Sequence, residues 1–172
     1  MTSDPPPGPD VAPASDPGPE PALEPPFDRL PFVDEHRIHT PVSSAAVWDE
    51  LTERIVRTRL GISEPFARLL GAEPARATGT LFEPGSTVPG FAVAAVVPGR
   101  RLVLTGQHRF SRYALVFVLT DEPDGTLLRA RTLAEFPGPA GWGYRQLVIG
   151  SGGHKILVGR MVRSIGRAAE RR

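Results

Sequence analysis

The sequence predicts an α+β domain: an antiparallel β-sheet built as a meander and covered on one side by a helix at the C-terminus. Two observations predict it. Strand-like runs between Phe91 and Phe136 are joined by turns far too short for a parallel crossover, which takes a dozen or more residues. Helical periodicity is confined to a stretch after the first strand and to the last 30 or so residues.

Phe32–His39 reads as the first strand, halted by Thr40-Pro41. Ser43 or Ser44 then caps a helix that places Val47, Trp48, Leu51 and Ile55 on one face and stops at Gly61. Ser63, Glu64 and Pro65 mark a second helix start, with Phe66, Leu69 and Leu70 running to Gly71. Arg76–Glu83 reads as a modest strand, followed by the turn-rich run Pro84–Gly90. Phe91–Val97, Arg101–Phe110, Tyr113–Thr120 and Thr126–Phe136 complete the sheet, with turns at Pro98-Gly99 and Asp121–Gly125.

Alternation assigns faces. Leu102, Leu104, Gly106, His108 and Phe110 share one side of their strand, as do Tyr113, Leu115, Phe117 and Leu119 of the next. On the last strand Leu128, Ala130, Thr132, Ala134 and Phe136 oppose Arg129, Arg131 and Glu135. The second face of the outer strands is polar enough for water, so the covering helix lies on the first.

At 100° per residue, Val158, Met161, Val162, Ile165 and Ala169 fall in one arc and Arg160, Arg163, Arg167 and Arg171 in nearly the opposite one. Carried backwards, the same phase puts Tyr144, Leu147, Ser151 and His154 on the apolar side. Either one helix runs through Gly150, Gly152 and Gly153, or the final helix begins near Gly153. Each interior glycine costs about 1 kcal/mol relative to alanine, and bare backbone there allows close approach to the sheet or leaves open volume beneath the helix.

Residues 1–31 are unlike the rest. They hold 11 of the 20 prolines and a net charge of −5, against +6 for residues 32–172. Proline removes a donor and fixes φ, and with few large apolar side chains this stretch is expected to be a disordered acidic tail, partly polyproline II. Pro6 and Pro9 fit a polyproline-groove motif, beside the plainer reading of a solvating leader. The start has neither the basic residues nor the apolar run of a secretory signal. No stretch reaches the roughly 18 apolar residues of a membrane span. The expected location is cytoplasmic.

Composition excludes several classes. With no cysteine there are no disulfides, thiolate metal sites or thiol nucleophiles. A net charge of +1 and a basic stripe without aromatic platforms argue against nucleic acid as partner. His36 and His39 stand on opposite faces of a strand, and no acid–histidine cluster shows ligand spacing, so neither metal nor cofactor is expected. Gly150-Ser151-Gly152 is too short for a nucleophile elbow, and Gly150–Lys155 fails the spacing of a phosphate loop.

The run from His36 to Leu51, with Thr40-Pro41, Ser43-Ser44 and Val47-Trp48-Asp49-Glu50-Leu51, resembles the strand, proline and capped helix that open START-like, Bet v 1-like proteins, the SRPBCC superfamily with its polyketide cyclase/dehydrase members. Gly141–Ala169, with Gly143-Tyr144 and Gly153-His154 ahead of Met161-Val162-Arg163-Ser164-Ile165, is similar to the closing helix of an actinobacterial-type branch. The resemblance covers about residues 32–170. It implies a helix-grip fold, a curved sheet wrapped around the last helix with an apolar cavity between them. It also implies a lipid, isoprenoid or polyketide-like small hydrophobic molecule as ligand.

Under that fold the expected cavity residues are Trp48, Leu104, His108, Tyr113, Leu115, Phe117, Ala130, Thr132, Tyr144, Leu147, His154 and Val158. Trp142 is a further candidate for a wall. His154 and His108 are the candidate catalytic groups, because an imidazole facing a cavity can exchange a proton with a bound carbonyl or enol. The competing readings are a neutral, hydrogen-bonded histidine and aromatics that are plain core. Function therefore reads as hydrophobic-ligand binding first, a cofactor-independent cyclase or dehydratase second, and a protein-interaction domain with a filled cavity third. Residues 154–172 carry a local charge of +5, suited to a weak contact with anionic membrane or with the acidic tail.

Overall fold

The computed structural model describes residues 27–58, 68–79 and 82–172. Most of the expected tail and the helix start at Ser63–Pro65 lie outside the described residues. The elements are β1 (Phe32–Thr40), α1 (Ser44–Thr58), β2 (Thr87–Val88), β3 (Phe91–Val97), β4 (Arg101–His108), β5 (Ser111–Glu122) and β6 (Gly125–Glu135). They are followed by α2 (Gly138–Arg145), a π-helical turn (Gln146–Gly150) and α3 (Gly153–Ala169). Strand order is β1-β6-β5-β4-β3-β2, with every neighbouring pair antiparallel. The meander is thus as expected, and the first strand returns to pair with the last.

Ser43 caps α1 by accepting the Ala46 amide at Oγ, 3.4 Å away. The apolar face of this helix, Val47, Leu51 and Ile55, is fully buried. Leu102, Leu104, Phe117, Leu128 and Ala130 meet it from the sheet, and Val158, Val162, Ile165 and Ala169 from α3. Burying such side chains is worth about 1.5–3 kcal/mol each. Contact with β6 begins before β1: Leu30 is buried and the Pro31 carbonyl accepts the Ala134 amide at 2.9 Å. The helical turn Arg68–Leu70 ends at Gly71, whose amide donates to the Arg68 carbonyl.

Two expectations are corrected, and the open alternative for the last helix is decided. No strand forms over Arg76–Glu83 among the described residues. Its pairing shrinks to one bridge, Thr78 with Thr87, because Gly79 and Phe82 turn to positive φ (+78° and +67°) and leave the extended region. The two-residue β2 falls instead inside the run read as turn.

The last helix is not continuous. The π-helical turn is followed by Gly152 in the left-handed region at φ +74°, and α3 starts afresh at Gly153. A π turn holds more residues than an α turn, so the 100° phase carried back from α3 fails before it. Leu147 is accordingly exposed, not on the apolar side.

The outer face of the sheet is also drier than expected. Val103 and Val116 are buried at its centre, and the register sets Arg131 beside Val116, and Arg101 and Arg129 either side of Val118. The arginine stems cover this apolar surface, the Nε atoms of Arg101 and Arg129 are themselves buried, and Arg129 and Arg131 donate to Thr120 and Glu35.

Candidate functional site

A cavity of about 660 Å³ lies between the sheet and the α2–α3 segment. The sheet contributes Phe91, His108, Tyr113, Leu115, Thr132 and Ala134 to its lining. Tyr144, Val148, Ile149, His154, Leu157 and Val158 close it from the helical side. Arg54, Arg160 and Ser164 also border it. An apolar lining with a few convergent polar groups is the usual form of a small-molecule site.

One wall is aromatic. His108 meets the Tyr144 ring edge-on at 4.8 Å between centroids, Tyr144 stacks on Phe110 at 5.4 Å, and Phe91 meets Tyr113 edge-on at 5.2 Å. The Tyr113 hydroxyl donates to the Gly90 carbonyl at 2.8 Å. His108 Nδ1 accepts the Phe110 amide at 3.1 Å, so in the neutral ring Nε2 carries the proton. Burial holds this imidazole below its ordinary pKa and therefore neutral at pH 7. Burial likewise raises the Tyr144 phenol, keeping it a donor. No protein hydrogen bond to the Tyr144 hydroxyl or to His108 Nε2 occurs among the described residues, which leaves both available to a ligand.

The second polar centre is built by β1, β6 and α3. A bulge between Phe32 and Asp34 resets the register of β1, so that Asp34, His36 and Ile38 oppose Thr132, Ala130 and Leu128 on the helix-facing side. Gly159 and Gly166, one heptad apart on α3, let its backbone approach this strand. A Cβ on Gly159 would sit 3.2 Å from His36 Nδ1, and one on Gly166 2.9 Å from Ile38 Cδ1. His154 Nε2 lies 3.1 Å from Thr132 Oγ1 and 3.8 Å from Asp34 Oδ1. The other Asp34 oxygen is 3.7 Å from His36 Nε2. Both Asp34 contacts are longer than hydrogen bonds, and Asp34 Oδ1 and His36 Nε2 are buried without one. Burial lowers the His154 pKa, the Asp34 charge opposes that, and His36 adds to it; the net direction is down. The resting ring is a neutral base with a carboxylate at hand to steady its protonated form.

Of the residues expected at the site, His108, Tyr113, Leu115, Thr132, Tyr144, His154 and Val158 line the cavity. Leu104, Phe117 and Ala130 lie instead in the packed core, and Trp48 packs against that core from α1. These four are displaced because the cavity lies toward the His108 end of the sheet, whereas α1 fills the other end. Leu147 and Trp142 face outward. In the sequence His36 is weighed only as a metal ligand beside His39 and is not paired with Asp34, although a spacing of two on a strand puts Asp34 and His36 on one face. The glycine heptad that brings α3 onto them was also readable.

Away from the cavity, His39 stands 3.1 Å from Asp124 and 3.5 Å from Glu122. Sequence spacing did not reveal this acid–histidine cluster, because the hairpin that supplies both acids is more than 80 residues away. On the outer face Glu35 binds Arg37 and Arg131. Burial pushes its carboxyl up, but the two guanidinium groups outweigh that and hold it below the ordinary range.

A curved six-stranded antiparallel sheet gripping a C-terminal helix around such a cavity is a helix-grip fold. No protein-family profile and no curated protein matches the chain. Among solved structures it is similar to the Bacillus halodurans protein BH1534, at 16% identity and a TM-score of 0.50 over 80% of this chain and 98% of that one. It is also similar to CalU16 from Micromonospora echinospora (18% identity, TM-score 0.45, 78% of this chain and 81% of that one). DynU16, a protein of the dynemicin biosynthetic locus, matches at 20% identity and a TM-score of 0.45 over 77% of this chain, which spans 46% of DynU16. These likenesses concern the fold. Among the described residues no helix is long and apolar enough to cross a membrane.

Proposed function

We propose that this domain binds a small, largely apolar molecule between the sheet and α3, and that it is a START-like, SRPBCC-type carrier of a lipid, isoprenoid or polyketide-like compound. The observation that carries the reading is the cavity itself: about 660 Å³ with a mainly apolar lining, large enough for a ligand of drug size. The described side chains leave it open, which speaks against the filled-cavity alternative. His108 Nε2 and the Tyr144 hydroxyl give the ligand donors for a carbonyl or hydroxyl oxygen.

The test is native mass spectrometry of freshly purified protein with solvent extraction of its cargo, beside a titration with the apolar fluorophore N-phenyl-1-naphthylamine. Saturable one-to-one binding, lost in Ala134→Phe without loss of the fold, is the expected result. A clean mass together with unsaturable fluorophore binding overturns the reading.

A second reading rests on Asp34 standing behind His154. A neutral imidazole on the cavity wall with a carboxylate beside it can take a proton from a bound substrate and hold it. A cofactor-independent dehydration balances when the ring returns that proton to the hydroxyl that leaves as water, and an aldol-type cyclisation when it returns it to the oxygen of the carbonyl that the new carbon–carbon bond attacks. His154→Gln should then abolish turnover of a bound polyketide-like substrate and spare its binding; unchanged turnover would end this reading.

A further inference from the structure

We infer that the outer surface of α2, the π-helical turn and the first turns of α3 docks on an anionic lipid bilayer. Four large apolar side chains are displayed there within 16 residues: Trp142 (63% exposed), Leu147 (71%), Ile156 (54%) and Leu157 (63%). Between Phe136 and Ala169 the chain has no Asp or Glu and five bases, Arg145, Lys155, Arg160, Arg163 and Arg167. None of the five makes an ion pair among the described residues, although bases elsewhere on the domain do, such as Arg57, Arg112 and Arg172. Cations left unpaired beside outward-facing apolar side chains fit a surface that is negative above and hydrocarbon below. Long basic side chains reach headgroups while tryptophan and leucine enter the interface.

The surface adjoins the cavity. Leu157 and Arg160 belong to both, and Tyr144, Val148 and Ile149 line the cavity from the same segment. An apolar ligand would pass between bilayer and cavity with little exposure to water. That purpose rests on the ligand reading, whereas the docking itself does not. The competing occupant is the chain's own residues 1–26, which carry five acids and no base. They join the domain near Pro31, whose partner Ala134 lines the cavity.

The test is flotation of the full chain with phosphatidylcholine vesicles, and with vesicles that also contain phosphatidylglycerol. Binding is expected only where the anionic lipid is present, falling as salt is raised. The double variants Trp142→Ser/Leu147→Ser and Arg145→Glu/Lys155→Glu should each weaken it by about tenfold or more. None of these four residues lines the cavity, so fluorophore binding should stay unchanged, which separates failure of docking from failure of the ligand reading. Absent binding, equal binding to both vesicles, or insensitivity to both variants overturns the inference. So does binding that emerges only after Asp4, Asp10, Asp16, Glu20 and Glu24 are neutralised in the full chain, since the acidic segment would then be the occupant.

Discussion

Asp34 Oδ1 lies 3.8 Å from His154 Nε2, while the second oxygen of the same carboxylate lies 3.7 Å from His36 Nε2. One negative charge is shared by two imidazoles, only one of which reaches the cavity. The two neighbours act on His154 in opposite senses, Asp34 upward and His36 downward. Asp34→Asn should therefore lower the His154 pKa further, and His36→Gln should raise it. NMR titration of the His154 ring checks both, and an unchanged or raised value in Asp34→Asn would show that the carboxylate does not act on this ring.

Stability should fall on mild acidification. His108 and His154 are both held below the ordinary histidine value of 6.5, chiefly by burial. Between their folded and unfolded pKa values the unfolded chain binds more protons, so stability rises with pH across that window. The contribution is complete above pH 6.5 and fades as pH falls through the folded values. Glu35, also lowered, adds a loss only in the more acidic window below its unfolded value. Melting temperatures between pH 5 and 8 should show the first effect, and the His108→Gln/His154→Gln double variant should flatten the curve.

Two glycine substitutions should have opposite signs. A Cβ on Gly106 would stand 2.1 Å from the Gly90 carbonyl oxygen and 2.7 Å from the ring of Tyr113, whose hydroxyl donates to that same carbonyl. Gly106→Ala should cost at least about 2 kcal/mol by forcing the strand and ring apart. In α2, a Cβ on Gly143 meets nothing within 4 Å, so Gly143→Ala should stabilise by roughly 0.5–1 kcal/mol through helix propensity. Urea unfolding of the two variants measures both.

Phe117 and Leu147 share a sequence-level expectation and differ in the structure. Phe117 is fully buried in the core, while Leu147 is exposed. Phe117→Ala should cost about 3–5 kcal/mol, and Leu147→Ala should stay within about 0.5 kcal/mol of the parent. Equal losses in denaturant midpoint would contradict the outward placement of Leu147.

The strands from Phe91 onward were legible because alternation and short turns fix both their ends and their pairing. Arg76–Glu83 was misread because a weak apolar pattern gives no warning that Gly79 and Phe82 leave the extended region. The helical segment shows the limit of periodicity: a single π turn ahead of Gly152 ended a phase that holds from Val158 to Ala169. His108, Tyr144 and His154 were found at the cavity because aromatic and imidazole groups stand out on an apolar face. Asp34, and the part His36 plays beside it, were not legible because their partners come from chain segments roughly 100 residues away. No local pattern shows a strand meeting a helix at that distance.

The pairing of Phe32 with Leu133 and of Thr40 with Thr126 also orders events in time. β1 leaves the ribosome well before β6 and must wait for it before it has a sheet to join, and for Gly159 and Gly166 before its inner face is covered. Contacts of such long sequence separation make folding slow relative to helical domains of this size. During that wait β1 is a free edge, and its run of Asp34, Glu35, His36 and Arg37 supplies the charges that discourage pairing with a neighbouring nascent chain.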